Sequence, residues 1–381
     1  KTNGTLDSSI VTGSFIDRDV QTLNYNLNYR GLFGKFKEHI LSADADYIRY
    51  DRSSVEDLTN RFYLPDGSTY RNALQLYINS PSDIDVWSLK VDYTRLIDKK
   101  SNFDFGVKTS KVSTMNRIDF NRINGNGTIM VDSLTNRFDF NERINAAYVN
   151  YVRRMNKLSI TAGLRGEYTK ADRHTYNPVR VADTSYFNIF PTVLISYDVN
   201  DDHQLSFAYT RRIERPNYQD LNPFVAYIDQ FAYSTGNPYL RPQYKSSFQV
   251  SDIFLYKYRV TLTLNVIKDF YTNIFQQDNS TGVYTTITAN IATRNQYMGE
   301  IRAPFTIADW WKVNTYVQGT YERYIYKTPG ARNINAFGLL AQAYQQFKIS
   351  NKIGAEFNAS YEIPTYFGIK YYREQYYFNA G

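Results

Sequence analysis

KLSITAGLRGEYT, residues 157–169, alternates with a period of two. Leu158, Ile160, Ala162, Leu164 and Tyr168 fall on one side of an extended chain; Ser159, Thr161, Arg165, Glu167 and Thr169 fall on the other. Successive side chains of a strand point to opposite faces, so this spacing predicts a strand with one apolar and one polar face. The device recurs from end to end. Leu23, Tyr25, Leu27 and Tyr29 oppose Asn24, Asn26, Asn28 and Arg30. Trp87, Leu89, Val91 and Tyr93 oppose Ser88, Lys90, Asp92 and Thr94. Val260, Leu262, Leu264 and Val266 oppose Thr261, Thr263 and Asn265, and Ile353, Ala355, Phe357, Ala359 and Tyr361 oppose Glu356, Asn358 and Ser360.

The connections alternate too. Short turns are expected at 97–102, 154–157, 198–202, 256–258, 308–311 and 348–352. Longer polar segments lie at 51–82, 113–135, 170–185, 211–245, 275–285 and 323–333. Strand, tight turn, strand, long loop is the order of an outer-membrane barrel, with short periplasmic turns and long extracellular loops. The fold class read from this is all-β, a transmembrane antiparallel up-and-down barrel with about 14–15 strands in this chain. Tyr and Trp recur where alternation gives way to turns, as at Tyr47, Tyr168, Tyr256, Trp310 and Trp311, and suit the headgroup layer. A soluble sandwich, propeller or adhesin would also alternate. Its buried face would favour bulky aliphatic residues, whereas these apolar faces mix Ala, Gly, Leu and Tyr, which lipid tolerates.

Composition closes off other classes. Tyr outnumbers Gly, 36 to 19, in a chain of 381 residues, which is too aromatic for disorder. No apolar run approaches the roughly 20 residues of a membrane helix. There is no cysteine, and His39, His174 and His203 lie too far apart to read as a ligand set. Asp44 and Asp46 share a strand face and read as a solvated wall; Asp201 and Asp202 sit in a turn. No catalytic constellation, metal site or cofactor motif emerges, so an enzyme is not expected. The net charge of +7 is dispersed along the chain, without the basic run that would suggest nucleic acid.

One segment departs from strand–turn economy. RRIERPNYQDLNPFVAYIDQFAYSTGNPYLRPQY, residues 211–244, is rich in Arg, Pro and Tyr. Phe207 and Tyr209 lead into Arg211, Arg212, Arg215 and Pro216, followed by Leu221, Asn222, Pro223 and Phe224, then Gly236, Asn237, Pro238, Leu240 and Pro242. These residues resemble the signature of TonB-dependent receptor barrels, in the branch described as the outer-membrane protein β-barrel family of Bacteroidota-type cells. Residues 290–314 are similar to a strand–turn–strand block late in that family. Gln243 stands where an acidic residue is usual.

The resemblance implies a barrel of about 22 strands, filled by a plug domain and opened by a TonB-type energy-coupling protein. No plug-like sequence or energy-coupling box is found near Lys1, and the chain ends in Gly381 rather than an aromatic residue. The expectation is therefore one barrel domain over residues 1–381, part of a longer polypeptide, with a natural small porin as the alternative. The expected function is ligand uptake across the outer membrane; a passive porin or an assembly scaffold are the rivals. Lys90, Asp92, Arg165, Glu167 and Glu356 are expected to line the lumen. Arg211, Arg212 and Arg215 can pair with lumen carboxylates, loop carbonyls or anionic lipopolysaccharide; a surface lipoprotein is a possible partner. As an extracellular lid, residues 217–233 should be dispensable for folding, whereas Gly236 suits a positive φ at the loop's exit.

Overall fold

The structure, a computed structural model, describes residues 7–124, 127–229, 231–327 and 331–381. The chain runs up and down through β1 (Ser9–Phe33), β2 (His39–Tyr63), β3 (Ser82–Asp98), β4 (Ser101–Asn124) and β5 (Asn136–Arg154). It continues through β6 (Leu158–Tyr176), β7 (Thr184–Asp198), β8 (His203–Glu214), β9 (Gln243–Phe254) and β10 (Tyr258–Asp278). The wall ends with β11 (Val283–Ala308), β12 (Trp311–Tyr326), β13 (Ile334–Lys348), β14 (Gly354–Glu362) and β15 (Gln375–Ala380). Each pairs antiparallel with the next. Among the described residues, β1 pairs only with β2 and β15 only with β14, so the sheet keeps two open edges.

The expected short turns are present as breaks of a few residues at 99–100, 155–157, 199–202, 255–257, 309–310 and 349–353. A further one at 34–38 was not read from the sequence; Gly34 and Lys37 take φ of 91° and 57° there. The expected long loops need correction. Most of them are strand: β2 continues to Tyr63, and Thr69–Asn79 returns beside it before Ser80-Pro81 interrupts the ladder. β4, β6 and β10 likewise run on to Asn124, Tyr176 and Asp278. At this end the outer face no longer needs to be apolar, so polar residues fill it without ending the ladder. Two tips share one device. Asp66 accepts hydrogen bonds from the Ser68 hydroxyl at 2.6 Å and amide at 2.8 Å, and Asp278 from those of Ser280 at 2.6 and 2.9 Å. These donors hold both carboxyls below the ordinary carboxylate range.

The contacts of residues 211–242 reveal the curvature. Phe224 packs on the cluster of Ile118 and Phe120 from β4, while Asn237 and Arg241 bond to Thr288 and Asn290 of β11. Strands β4 and β11 are seven steps apart, more than about 30 Å across a flat sheet. One loop reaches both only because the wall curls around it. The face it touches is the inner one. Leu89, Val107, Leu164, Phe187, Val250, Leu262 and Ile301 lie on the other face, exposed. The register read from the sequence holds on β10: Leu262 is 62% exposed on the outer face and Thr261 4% exposed on the inner.

The apolar face is not outward throughout. Towards the long-loop end, Leu58, Phe62, Ile118, Phe120, Phe138 and Phe140 point inward and are buried. On β5 the switch occurs within one strand. Phe138 and Phe140 face in, whereas Ala147, Val149 and Tyr151 alternate to the other side. Above the lipid the driving force is burial against the inturned loop, so the core moves inside.

Candidate functional site

The inturned loop leaves and rejoins the wall at one rung, where Glu214 faces Gln243. The Gln243 amide donates to Glu214 Oε2 at 2.7 Å. An acidic residue there would set two carboxylates face to face, so this chain's departure from the usual residue matches its own neighbour.

Arg215 turns inward. Its guanidinium donates to Glu167 Oε2 at 2.7 Å and to Thr169 Oγ1 at 2.9 Å, with Glu142 Oε1 at 3.8 Å. Arg165 donates to the other oxygen of Glu167 at 2.6 Å. Glu167 is thus clamped between two guanidinium groups, and its side chain is only 10% exposed. Two residues of the expected lumen set, Arg165 and Glu167, meet one of the expected loop set here. Tyr271 donates to the Arg215 carbonyl at 3.3 Å. In a double-mutant cycle of Arg215→Met and Glu167→Gln, chemical unfolding should give a coupling of about 1–3 kcal/mol. Coupling near zero would remove this pair as the loop's anchor.

Pro216 and Asn217 lead into a single helical turn, Tyr218–Leu221, and Leu221 is buried with Leu240 against Phe138, Phe140 and Ala171. The backbone then folds on itself: Gly236 N–H donates to the Asn222 carbonyl at 3.0 Å and Asn237 N–H to the Asp220 carbonyl at 2.6 Å. Asn222 Oδ1 accepts from the Phe224 amide, which closes the turn at Pro223. Ala232–Thr235 pairs parallel with Tyr284–Ile287 on β11. Gly236 does not hold a positive φ. Its need for glycine is steric: a Cβ there would stand 2.4 Å from the Asn222 carbonyl oxygen, 2.7 Å from that of Asp220 and 2.8 Å from that of Gln219.

The exit is pinned by residues the sequence reading missed. Asn290 Oδ1 accepts from the Arg241 amide at 2.9 Å, and its Nδ2 donates to the Arg241 and Asp269 carbonyls at 2.9 and 2.7 Å. Asp269 takes φ 54° at a shift in the β10 register and accepts hydrogen bonds from Arg241 at 3.2 Å and Lys327 at 2.6 Å. The only trace in sequence is Lys268-Asp269 breaking the alternation after Val266. Pro238, Leu240 and Pro242 are buried. The segment is therefore part of the core and not a dispensable lid.

Most of the remaining expected residues separate. Arg211 lies 5.6 Å over the Tyr244 ring and donates to the Ile189 carbonyl at 3.3 Å. Arg212 is exposed, opposite Lys245 on β9. Lys90 and Asp92 stay linked to the cluster: Lys90 pairs with Asp92, which also accepts from Tyr148, and the Arg165 guanidinium lies 5.4 Å over the Tyr148 ring. Asn26 donates to Asp46 at 2.6 Å and Asn28 to Asp44, so that acid pair is a hydrogen-bonded wall. Glu356, near a short turn, accepts from Gln346 at 3.3 Å. Among the described residues no group of His, Cys, Asp or Glu is arranged to hold a metal.

The chain belongs to the outer membrane protein beta-barrel family, whose model matches residues 33–381. It is a multi-strand outer-membrane protein. It is similar in fold to the ferric yersiniabactin uptake receptor FyuA from Yersinia pestis, at 10% identity and a TM-score of 0.52 over 100% of this chain. It is similar also to the siderophore receptor PiuA from Acinetobacter baumannii (10% identity, TM-score 0.55, 97% covered) and to the copper transporter OprC (12%, 0.55, 95%). The chain spans 67%, 68% and 62% of those three chains. Their names describe receptors and a transporter. No curated protein matches the chain significantly.

Proposed function

We propose that this chain forms most of the wall of a gated uptake receptor, resembling TonB-dependent receptors, that admits its ligand from the long-loop side. The observation that carries the reading is the inturned loop. It ties β4 to β11 across the interior just inside the mouth, so the lumen is constricted by residues built into the wall's own core. Below it the inner face is polar and charged, with Lys90, Asp92, Asp44, Asp46 and Glu300. Such a face suits water or a polar plug domain, and the plug is the element an inner-membrane energy-coupling protein would move. A surface lipoprotein that caps the mouth fits the same scheme.

Residues 1–381 are read as one barrel domain that further strands complete. Among the described residues both edges carry unpaired backbone groups, and each such group costs several kcal/mol in hydrocarbon. Barrels span membranes because closure removes edges. Seven or so additional strands would bring the wall to the size implied by about 22-stranded transporters.

The test uses the full-length polypeptide. In planar bilayers it should show no large steady conductance, while energised cells take up the ligand and lose uptake when the energy-coupling protein is deleted. A large steady conductance with energy-independent uptake would make it a passive porin. A stoichiometric partner with no uptake would make it a scaffold. Sidedness has its own check. A cysteine at Asn200, in a short turn, should resist a membrane-impermeant label in intact cells, and one at Tyr239 should react; the reverse pattern would invert the barrel.

A further inference from the structure

Six adjacent strands place one residue each in a single row on the outer face: Tyr25, Tyr47, Trp87, Lys111, Arg143 and Lys170. Three aromatic side chains are followed by three basic ones. Tyr47 and Trp87 have ring centroids 4.2 Å apart, and Tyr25 stacks on Tyr47 at 6.3 Å. Lys111, Arg143 and Lys170 are all exposed. Lys170 lies 3.7 Å from Asp172, whereas Lys111 and Arg143 have no ion pair among the described residues. Asp85, the carboxylate nearest the aromatic end, is occupied by the Tyr47 hydroxyl at 2.7 Å. Leu27, Ala45 and Leu89 line a shallow groove immediately below the row.

Height fixes what the row meets. Lys111, Arg143 and Lys170 lie ten, eleven and twelve residues from the short-turn ends of their strands, Ser101, Arg154 and Leu158. At a strand tilt of about 40° that is about 25–30 Å, where an apolar band of about 25 Å ends. Below them on the same face run Val107, Phe105, Leu164 and Phe187, all exposed. Three cations on a lipid-facing surface, two of them without an ion pair among the described residues, at the level where hydrocarbon gives way to headgroups, are complementary to phosphate and to little else there.

We propose that this row binds the phosphorylated headgroup of an outer-leaflet lipid of the lipid A type. Lys111, Arg143 and Lys170 take the phosphate, Trp87 and Tyr47 lie at the sugar–acyl boundary, and the groove at Leu27 and Leu89 receives an acyl chain. The inference rests on the outer-membrane location and on the sidedness proposed above, and stands apart from the uptake reading.

The experiment is lipid retention by the full-length polypeptide. The purified protein is incubated in detergent with bisphosphorylated lipid A, and bound lipid is counted by mass spectrometry of the intact complex. One tightly held lipid per chain is expected. Lys111→Gln should weaken retention about fivefold and the triple change with Arg143→Gln and Lys170→Gln about a hundredfold, on the usual scale for a basic residue at a charged lipid surface. Lys111→Arg should bind as the parent does. Fully dephosphorylated lipid A on the unaltered protein should be as weak as the triple variant, and that arm needs no mutant to fold. Equal retention by parent and triple variant would overturn the proposal, as would equal binding of dephosphorylated lipid. Inorganic phosphate bound as tightly as the lipid would also overturn it, since the site would then be one for a free anion. Uptake measured beside it reports on the other reading alone.

Discussion

Gly236→Val should abolish the folded, heat-modifiable form of the barrel or destabilise it by about 4 kcal/mol, at the upper end for single substitutions. Three backbone carbonyl oxygens, of Gln219, Asp220 and Asn222, stand within 2.8 Å of where a Cβ would go. None is the end of a flexible side chain, so relief must come from opening the turn. That would break the Gly236-to-Asn222 and Asn237-to-Asp220 hydrogen bonds and lift Leu221 and Leu240 from Phe138 and Phe140. Gly319 is the control: nothing lies within 4 Å of a Cβ there, and Gly319→Ala should leave migration unchanged. If Gly236→Val gave a normal folded band, the loop would not belong to the core.

Val107→Arg should cost about 2–4 kcal/mol in a lipid-refolding titration, the range for arginine near the bilayer midplane. Val107 is 55% exposed on the outer face, six residues from Ser101 at the short-turn end of β4. Its neighbour Lys108 already carries charge at the same depth. It faces inward, opposite Lys90 on β3 and Ala146 on β5. Lys108→Arg should therefore be nearly neutral. Equal costs at the two positions would mean that the two faces, and with them every inward assignment made for Lys90, Asp92, Arg165 and Glu167, had been exchanged.

The contrast between Val107 and Lys108 was legible in sequence because alternation is a local property. Period two assigns a face from neighbours along the chain and needs no partner strand. Six of the short turns were legible for the same reason, since alternation breaks at each; the one at 34–38 was not. The long-loop end was not. Residues 51–82 and 113–135 read as loop because the face that is apolar elsewhere turns polar there, yet the ladder continues through most of them. Hydrogen bonds of the backbone do not depend on which side chains flank them.

The sequence by itself determined an all-β chain of about 15 alternating strands in hairpin order, the position of most turns, and the special character of residues 211–242. Each follows from spacing along one chain. The tertiary structure decided which residues meet across strands. Arg215 reaches Glu167, 48 positions away, and Asn290 pins Arg241 from 49 positions away. The row from Tyr25 to Lys170 exists only once five registers are set. A shift of one residue in any ladder would turn one strand's side chains to the other face and dissolve the row. Register depends on turn geometry and on burial against a curved wall, and both are collective properties of the folded sheet.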